Sequence, residues 1–108
     1  MNKLGKKTAA ESAYRCLEDV IGCKWSVSVL IAADEGVNRP GAMVRHIPAL
    51  STKVLNERLR KLVRYGLLEK RSYPELPPRT EYHLTTFGRE VMALVARIRE
   101  LDRTRISA

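Results

Sequence analysis

The chain contains 108 residues, and its 20 Lys and Arg residues outnumber its 12 Asp and Glu residues, for a formal net charge of +8. This length suits a single domain, and the positive charge favours a polyanionic partner such as nucleic acid. No apolar run approaches the ~18 residues of a membrane span, and the basic N-terminus lacks the apolar core of a secretory signal. We therefore expect a cytoplasmic protein without membrane contact.

The pattern of polar and apolar residues divides the chain into three regions. Residues 1–10 are polar and basic, which predicts a mobile arm. Residues 11–104 carry the periodic apolar positions of one folded domain, and residues 105–108 are predicted to form a tail.

The first half of the domain shows helical patterns. Apolar residues at helical spacing predict a helix that begins near Ser12 and is interrupted at Gly22. A second helix is predicted from Lys24 to about Asp34, and it is apolar on so many sides that it should be central and buried. Residues 37–39 fit a short strand.

The middle of the chain predicts two helices joined by a tight turn. Pro40 suits the first turn of a short third helix, where its missing N–H is not needed, and Pro48 ends that helix. Ser51 is a good N-cap for a fourth helix, and Gly66 ends it because glycine adopts positive φ easily. The apolar stripe of the fourth helix consists of Val54, Leu55, Leu59, Leu62 and Val63.

After Gly66 the apolar period changes from helical to extended. Residues 68–72 and 82–84 fit two strands, and the Pro-rich segment 74–79 fits the turn between them, because proline cannot donate to a strand ladder. Thr85 or Thr86 then caps a last helix. The apolar stripe of this helix consists of Phe87, Val91, Leu94, Val95, Ile98 and Leu101.

This order of elements indicates a winged helix-turn-helix, a mainly α fold with a small β-hairpin (α+β). The second helix of a helix-turn-helix motif enters the major groove of DNA. The predicted function is therefore sequence-specific binding of double-stranded DNA.

The exposed face of the fourth helix supplies the candidate DNA contacts. Its N-terminal half should meet base edges, since Asn can bond adenine and Lys or Arg can bond guanine. The candidates there are Ser51, Thr52, Lys53 and Asn56. The candidates for phosphate contacts, which position a protein without reading sequence, are Arg60, Lys61 and Arg64. The alternative is a solvated helix face, which the acidic Glu57 would suit.

The predicted hairpin, or wing, adds the pair Lys70-Arg71 and Arg79 as candidate DNA-backbone or minor-groove contacts. The alternative for Arg79 is an ion pair with Glu75 across the turn. An exposed pair of this kind contributes only about 0–1 kcal/mol, so it would not prevent contact with DNA.

Four segments together carry a family pattern: Val20–Trp25, the turn at Ile47–Pro48 before Ser51, Leu55–Leu67, and Tyr73–Thr85 with Gly88. They resemble the HxlR-type transcriptional regulators, which are relatives of the MarR regulators. The Pro-Pro-Arg-x-Glu-Tyr-x-Leu-Thr run is the specific part of the resemblance. The resemblance implies a prokaryotic, nucleoid-associated homodimer on a pseudo-palindromic operator.

The resemblance also implies that the first and last helices form the dimer interface. The candidate interface residues are Leu17, Val91, Leu94, Val95, Ile98 and Leu101. Packing within one subunit is the alternative for the stripe on the last helix, and we expect the stripe to do both.

Cys16 and Cys23 are the candidate redox residues. The family often carries a Cys-Pro pair near the first helix, and that Cys senses oxidants in some members, but Ser12-Ala13 stands there in this chain. On one continuous helix Cys16 and Cys23 would lie ~10.5 Å apart, too far for a disulfide, unless Gly22 bends the chain or the bond joins two subunits. Lys24 would favour a Cys23 thiolate. The alternative is that both are small core residues.

No metal, cofactor or catalytic site is predicted. Cys16, Cys23, His46 and His83 fit no zinc-ligand spacing, and the chain has no Gly-rich phosphate loop or nucleophile motif. Two alternatives to a simple DNA-binding regulator stay open. One is a winged helix used only for protein contact, and the other is a regulator that responds to an oxidant or a small-molecule effector.

Overall fold

The computed structural model describes residues 12–107, so the predicted arm at residues 1–10 lies outside the described residues. The elements in chain order are α1 (Ala13–Ile21), α2 (Lys24–Asp34), α3 (Pro40–His46), α4 (Thr52–Arg64), β1 (Leu68–Tyr73), β2 (Arg79–Leu84) and α5 (Thr86–Ser107). This is the predicted order of helices and hairpin. Helix α5 continues to Ser107, beyond the boundary predicted at residue 104, since no Gly or Pro interrupts it there.

The helix ends form where the sequence predicts them. The Ser51 hydroxyl accepts a hydrogen bond from the Val54 amide at 3.1 Å and caps α4. The Thr85 hydroxyl accepts from the Gly88 amide at 2.9 Å, which identifies Thr85, and not Thr86, as the cap of α5. Gly66 follows α4 with a φ of 79°. Polar side chains and a flexible residue therefore satisfy backbone groups that the helices leave free.

The core forms around α2, whose Val29 and Leu30 are completely buried. Helix α4 packs against this core through Leu55, Leu59 and Leu62. The prediction that Val63 belongs to the buried stripe is wrong. Its side chain is 36% exposed, because it lies at the edge of α4 that faces the hairpin.

Strands β1 and β2 pair antiparallel, with a register that runs from Leu68 opposite Leu84 to Tyr73 opposite Arg79. The strand predicted at residues 37–39 is wrong, since that segment is not a strand. The Tyr82 amide does donate to the Asn38 carbonyl at 2.8 Å. This contact ties the segment to the outer edge of the hairpin without forming a ladder.

The turn between α3 and α4 sets the start of α4. Ile47 and Leu50 on the two sides of the turn are both buried, and Ala49 between them adopts a φ of 66°.

Within residues 12–107, no helix is long and apolar enough to cross a membrane.

Candidate nucleic-acid interface

Helix α4 presents a polar face to solvent on the side opposite its buried leucines. Thr52, Lys53, Asn56, Arg60 and Arg64 are all exposed on it. Because this helix is the second of the helix-turn-helix pair, its exposed face is the surface that would enter a DNA groove. The Ser51 hydroxyl already accepts a bond from the helix backbone, so its O–H and one remaining lone pair are left for another partner.

A groove of about 320 Å³ lies between α4 and the hairpin, and Arg60, Val63, Arg64, Lys70 and Tyr82 line it. Lys70 and Tyr82 stand directly opposite each other on β1 and β2, so the hairpin presents both on the side of α4. In the part of the chain that the structure describes, no acidic side chain forms an ion pair with Arg60, Arg64 or Lys70. These three cations are therefore available to bind an external anion.

Lys61 differs from these cations, because its side chain turns toward α1. Its Nζ atom lies 3.0 Å from Asp19 Oδ2, and the Tyr65 hydroxyl donates to the same oxygen. Donation from Tyr65 and then from Lys61 holds the pKa of Asp19 below its usual range. The sequence predicted Lys61 as a phosphate contact and indicated no role for Asp19 or Tyr65. Only the packing of α1 beside the end of α4 brings the three together.

The opposite face of the hairpin carries cations that do have acidic partners. Arg71 Nε lies 3.3 Å from Glu69 Oε2, and its pKa is raised by the hydrogen bond to that carboxylate. Glu69 and Arg71 occupy alternate positions of β1, so their side chains share a face. Of the predicted pair Lys70-Arg71, Arg71 is thus a weaker candidate for DNA contact than Lys70.

Arg79 lies at the base of the wing turn with partners on several sides. Its Nε atom is 3.2 Å from Glu75 Oε2 and 3.4 Å from Glu81 Oε2. These contacts are ion pairs, because their geometry does not meet that of a hydrogen bond. Its guanidinium also stacks on the Tyr73 ring, 4.1 Å from the centroid. The alternative reading of Arg79 as a partner of Glu75 is confirmed, yet the side chain keeps 31% exposure.

Glu81 lies at the centre of this outer face of the hairpin. The sequence alone did not predict a role for it. Its carboxylate lies 2.8 Å from His83 Nε2 and 4.0 Å from Arg39 Nε, in addition to Arg79. The hydrogen bond from His83, followed by the charges of Arg79 and Arg39, lowers the pKa of Glu81. Arg79, Glu81 and His83 alternate along β2, and alternate residues of a strand share a face. This spacing is the sequence pattern that could have predicted their contact.

The apolar stripe of α5 divides between core and surface. Val91 and Val95 are buried inside the subunit, Val91 to 1% exposure, which is the packing within one subunit that we expect of part of this stripe. Leu94, Ile98 and Leu101 stay exposed, Leu94 at 49%. On α1, Leu17 is half-buried and lines a shallow apolar surface with Tyr14 and Ile21. The exposed apolar residues of both helices are those available to a second subunit.

The two cysteines are free thiols in different environments. Cys16 is 2% exposed, and burial, with the charge of Asp19, raises its pKa. Cys23 is half-buried and precedes α2. Burial alone would raise the pKa of Cys23, but the Ser26 side chain, the amides of Ser26 and Trp25 and the charge of Arg58 outweigh it and lower that pKa.

Each of the two histidines lies beside a glutamate side chain. His46 ends α3 and lies 3.4 Å from Glu35 Oε1, and His83 lies in β2 against Glu81. Across residues 12–107 there is no cluster of three or more His, Cys, Asp or Glu side chains that could hold a metal ion.

Comparison with known sequences gives a consistent set of similarities. The HxlR-like helix-turn-helix family model matches residues 20–108. An uncharacterised HTH-type transcriptional regulator of Synechocystis sp. is 40% identical over 83 residues, which cover 77% of this chain and 62% of that protein. The chain thus spans less than two thirds of that relative's length. The HTH-type transcriptional regulator YtfH of Escherichia coli K12 is 36% identical over 94 residues, which cover 87% of this chain and 75% of that protein.

Solved structures show the same similarity in three dimensions. A protein named as a MarR-family transcriptional regulator, from Enterococcus faecalis V583, superposes with a TM-score of 0.79 at 28% identity, over 94% of this chain and 89% of that chain. The redox regulator HypR in its reduced form superposes with a TM-score of 0.75 at 30% identity, over 86% of this chain and 92% of that chain. The fold is therefore the winged helix shared by these regulators.

Proposed function

We propose that this chain, which belongs to the HxlR-like helix-turn-helix family, is a transcriptional regulator that binds a pseudo-palindromic DNA operator as a homodimer. The observation that carries the proposal is the groove between α4 and the hairpin, where Arg60, Arg64 and Lys70 have no acidic partner among the described residues. Cations that are not neutralised within the protein can replace the counterions of DNA phosphates.

Base reading is assigned to the N-terminal half of α4. Thr52, Lys53 and Asn56 are exposed there, and Asn and Lys side chains can bond purine edges in the major groove. Arg60, Arg64 and Lys70 then hold the phosphates beside that groove. Arg79 is left out of this set, because it lies on the outer face of the hairpin in ion pairs with Glu75 and Glu81. Lys61 is left out of this set, because Asp19 already binds it.

The homodimer is assigned to α1 and α5. Leu94, Ile98 and Leu101 are exposed on α5, and Tyr14 and Ile21 on α1. A two-fold dimer would place the two α4 helices in successive major grooves, about 34 Å apart. Such a regulator would act in the cytoplasm of a prokaryotic cell, at the nucleoid.

The test is selection from a random duplex pool with purified, reduced protein at physiological salt, together with sedimentation to determine the oligomeric state. Enrichment of an inverted repeat with half-sites about one helical turn apart is the expected result. A protein that sediments as a dimer but enriches no sequence would contradict the proposal, and it would favour a winged helix used only for protein contact.

Thiol-based regulation is a second candidate, and it rests on Cys23. The similar structure of HypR is named as that of a redox regulator, and Cys23 is half-buried with a lowered pKa. Low pKa and accessibility are what make a cysteine reactive. Cys16 lacks both properties, since it is buried and its pKa is raised.

Hydrogen peroxide treatment tests this candidate once an operator is known. We expect peroxide to change the operator affinity of the wild-type protein and of Cys16→Ser, but not that of Cys23→Ser. An equal response of all three proteins, or no response of the wild-type protein, would exclude Cys23 as a sensor and would leave the DNA-binding proposal intact.

A further inference from the structure

The end of α4 is bonded to α1 through one carboxylate. Asp19 Oδ2 accepts from the Tyr65 hydroxyl and lies 3.0 Å from Lys61 Nζ. Tyr65 is the C-cap of α4, and Lys61 lies one turn before it. A single atom of α1 thus holds two successive turns of the helix that is proposed to enter DNA.

Asp19 is itself held in place by the core. It lies on α1 between Cys16 and Val20, both of which are buried. The hydrogen bonds of Tyr65 and Lys61 keep the pKa of Asp19 low, and the same contact raises the pKa of Tyr65 to about 12. At neutral pH Asp19 is therefore a carboxylate and Tyr65 a neutral phenol, which are the protonation states that the hydrogen bond between them requires.

The buried side chains of α4 are apolar, and they are Leu55, Leu59 and Leu62. Apolar burial is not directional, so these contacts hold α4 against α2 without fixing its position through bond angles. Hydrogen bonds weaken steeply when their angles change. The bonds to Asp19 are therefore the contacts best suited to fix the angle and axial position of α4 relative to α1.

We propose that Asp19 is a positioning residue that sets α4 relative to α1, and thereby sets the spacing between the two DNA half-sites that the dimer accepts. This inference rests on the proposed function, in which α1 contacts the second subunit and α4 lies in the major groove. Because the two-fold axis then passes beside α1, a change in the angle between α1 and α4 changes the distance between the two α4 helices.

The experiment measures the affinity for duplexes that carry the same two half-sites at the selected spacing, or with one base pair inserted or removed. The wild-type protein should discriminate among these duplexes. Asp19→Asn removes the charge that holds Lys61, and Tyr65→Phe removes only the hydroxyl while the ring stays. We expect each variant to lose about fivefold or more of the spacing discrimination, the lower end of typical couplings between sites.

Asp34→Asn is the matched control. It makes the same chemical change at an exposed carboxylate at the end of α2, which has no ion pair in the described part of the chain. Its spacing discrimination should equal that of the wild-type protein. Thermal unfolding of all variants shows whether they are folded at the assay temperature, and Tyr65→Phe, the milder change, keeps the test valid if Asp19→Asn is not.

Two results would overturn the inference, and they are distinguishable from each other. If Tyr65→Phe and Asp19→Asn bind all spacings with the same relative affinities as the wild-type protein, Asp19 contributes stability alone. If the wild-type protein itself has no preferred inverted repeat, the proposed function fails first and the inference fails with it.

Lys61 provides an independent readout. If it serves Asp19, Lys61→Gln should reduce the spacing discrimination and leave the salt dependence of binding unchanged. If it contacts a phosphate instead, the slope of log affinity against log salt should fall by about 1, and this result would overturn the role given to Lys61 here.

Discussion

Gly88 lies against the backbone carbonyl of Leu67, so close that a Cβ at residue 88 would stand 2.2 Å from the carbonyl oxygen. The same oxygen accepts from the Thr85 amide at 3.1 Å, and the Thr85 hydroxyl accepts from the Gly88 amide at 2.9 Å. The first turn of α5 is therefore docked on the residue that links α4 to β1. This contact places the helix with the exposed apolar stripe relative to the candidate DNA-binding helix.

Gly88→Ala should destabilise the protein, because the added methyl group would overlap a backbone atom that cannot move without displacing β1. Overpacking of this kind costs about 1–3 kcal/mol, and occasionally more. Denaturant unfolding monitored by Trp25 fluorescence or circular dichroism would measure the change. Gly41→Ala is the matched control, since the nearest atom to its Cβ would be Arg45 Nη1 at an ordinary 3.6 Å. Gly41 lies in the first turn of α3, so the alanine should change the free energy of unfolding little. Equal effects of the two substitutions would contradict the contact.

Arg60→Ala should weaken binding to all DNA sequences by a similar factor. The side chain has no acidic partner within residues 12–107, so its charge is available to phosphate. Loss of one phosphate contact should lower the slope of log affinity against log salt by about 1. Affinities for the selected operator and for an unrelated duplex, measured over a range of salt concentrations, would show this.

Arg71→Ala is the corresponding comparison, because it removes the same charge from a side chain already paired with Glu69. Its salt slope should change less than that of Arg60→Ala. The opposite order would place the DNA on the outer face of the hairpin and would refute the groove as the binding surface.

Asn56→Ala should relax sequence preference at one base pair of each half-site. Asn56 is exposed in the N-terminal half of α4, where an amide can bond the two polar atoms of an adenine edge. The expected loss of discrimination is about 1–3 kcal/mol at that position, with little change in salt slope. Repeating the selection with the variant gives the measurement. An unchanged preferred site would show that another side chain reads that base pair.

The Tyr65–Asp19 contact should make stability sensitive to alkaline pH. The pKa of Tyr65 is raised from about 10 to about 12 in the folded protein, because its hydroxyl donates to a carboxylate. A raised folded-state pKa means that the contact contributes fully below pH 10 and is lost as the pH rises toward 12. The difference in unfolding free energy between the wild-type protein and Tyr65→Phe should thus be constant below about pH 10 and shrink above it. A difference that stays constant up to pH 11 would mean that the hydroxyl makes no such bond.

The order of helices and strands was predictable from residues that act on their immediate neighbours. Ser51 and Thr85 cap helices, Gly66 adopts a positive φ, and Pro40 and Pro48 bound a short helix, and all of these effects operate within a few residues. The segment at residues 37–39 was misjudged, since a strand depends on a partner that its own sequence does not specify. The family resemblance, read from Tyr73–Thr85 in particular, was confirmed by the family match over residues 20–108.

Periodicity shows that a side chain is apolar and on one face of a helix, but it does not show what lies opposite. It could not separate Val91 and Val95, which pack into the core, from Leu94 and Ile98, which face solvent. The packing of α5 against α2 makes that distinction, and the close contact between Gly88 and Leu67 fixes the start of α5.

The same reason applies to the charged residues. Composition and helical spacing identified a basic fourth helix, because charge and exposure follow from the residues of that helix alone. Which of its cations are free depended on partners far away in the chain, such as Asp19, which is 46 residues from Tyr65. Ion pairs and hydrogen bonds act over a few ångströms, so only the packing of α1 and the hairpin around α4 could separate these cations. Lys61 is held by Asp19, whereas Arg60, Arg64 and Lys70 have no acidic partner within residues 12–107.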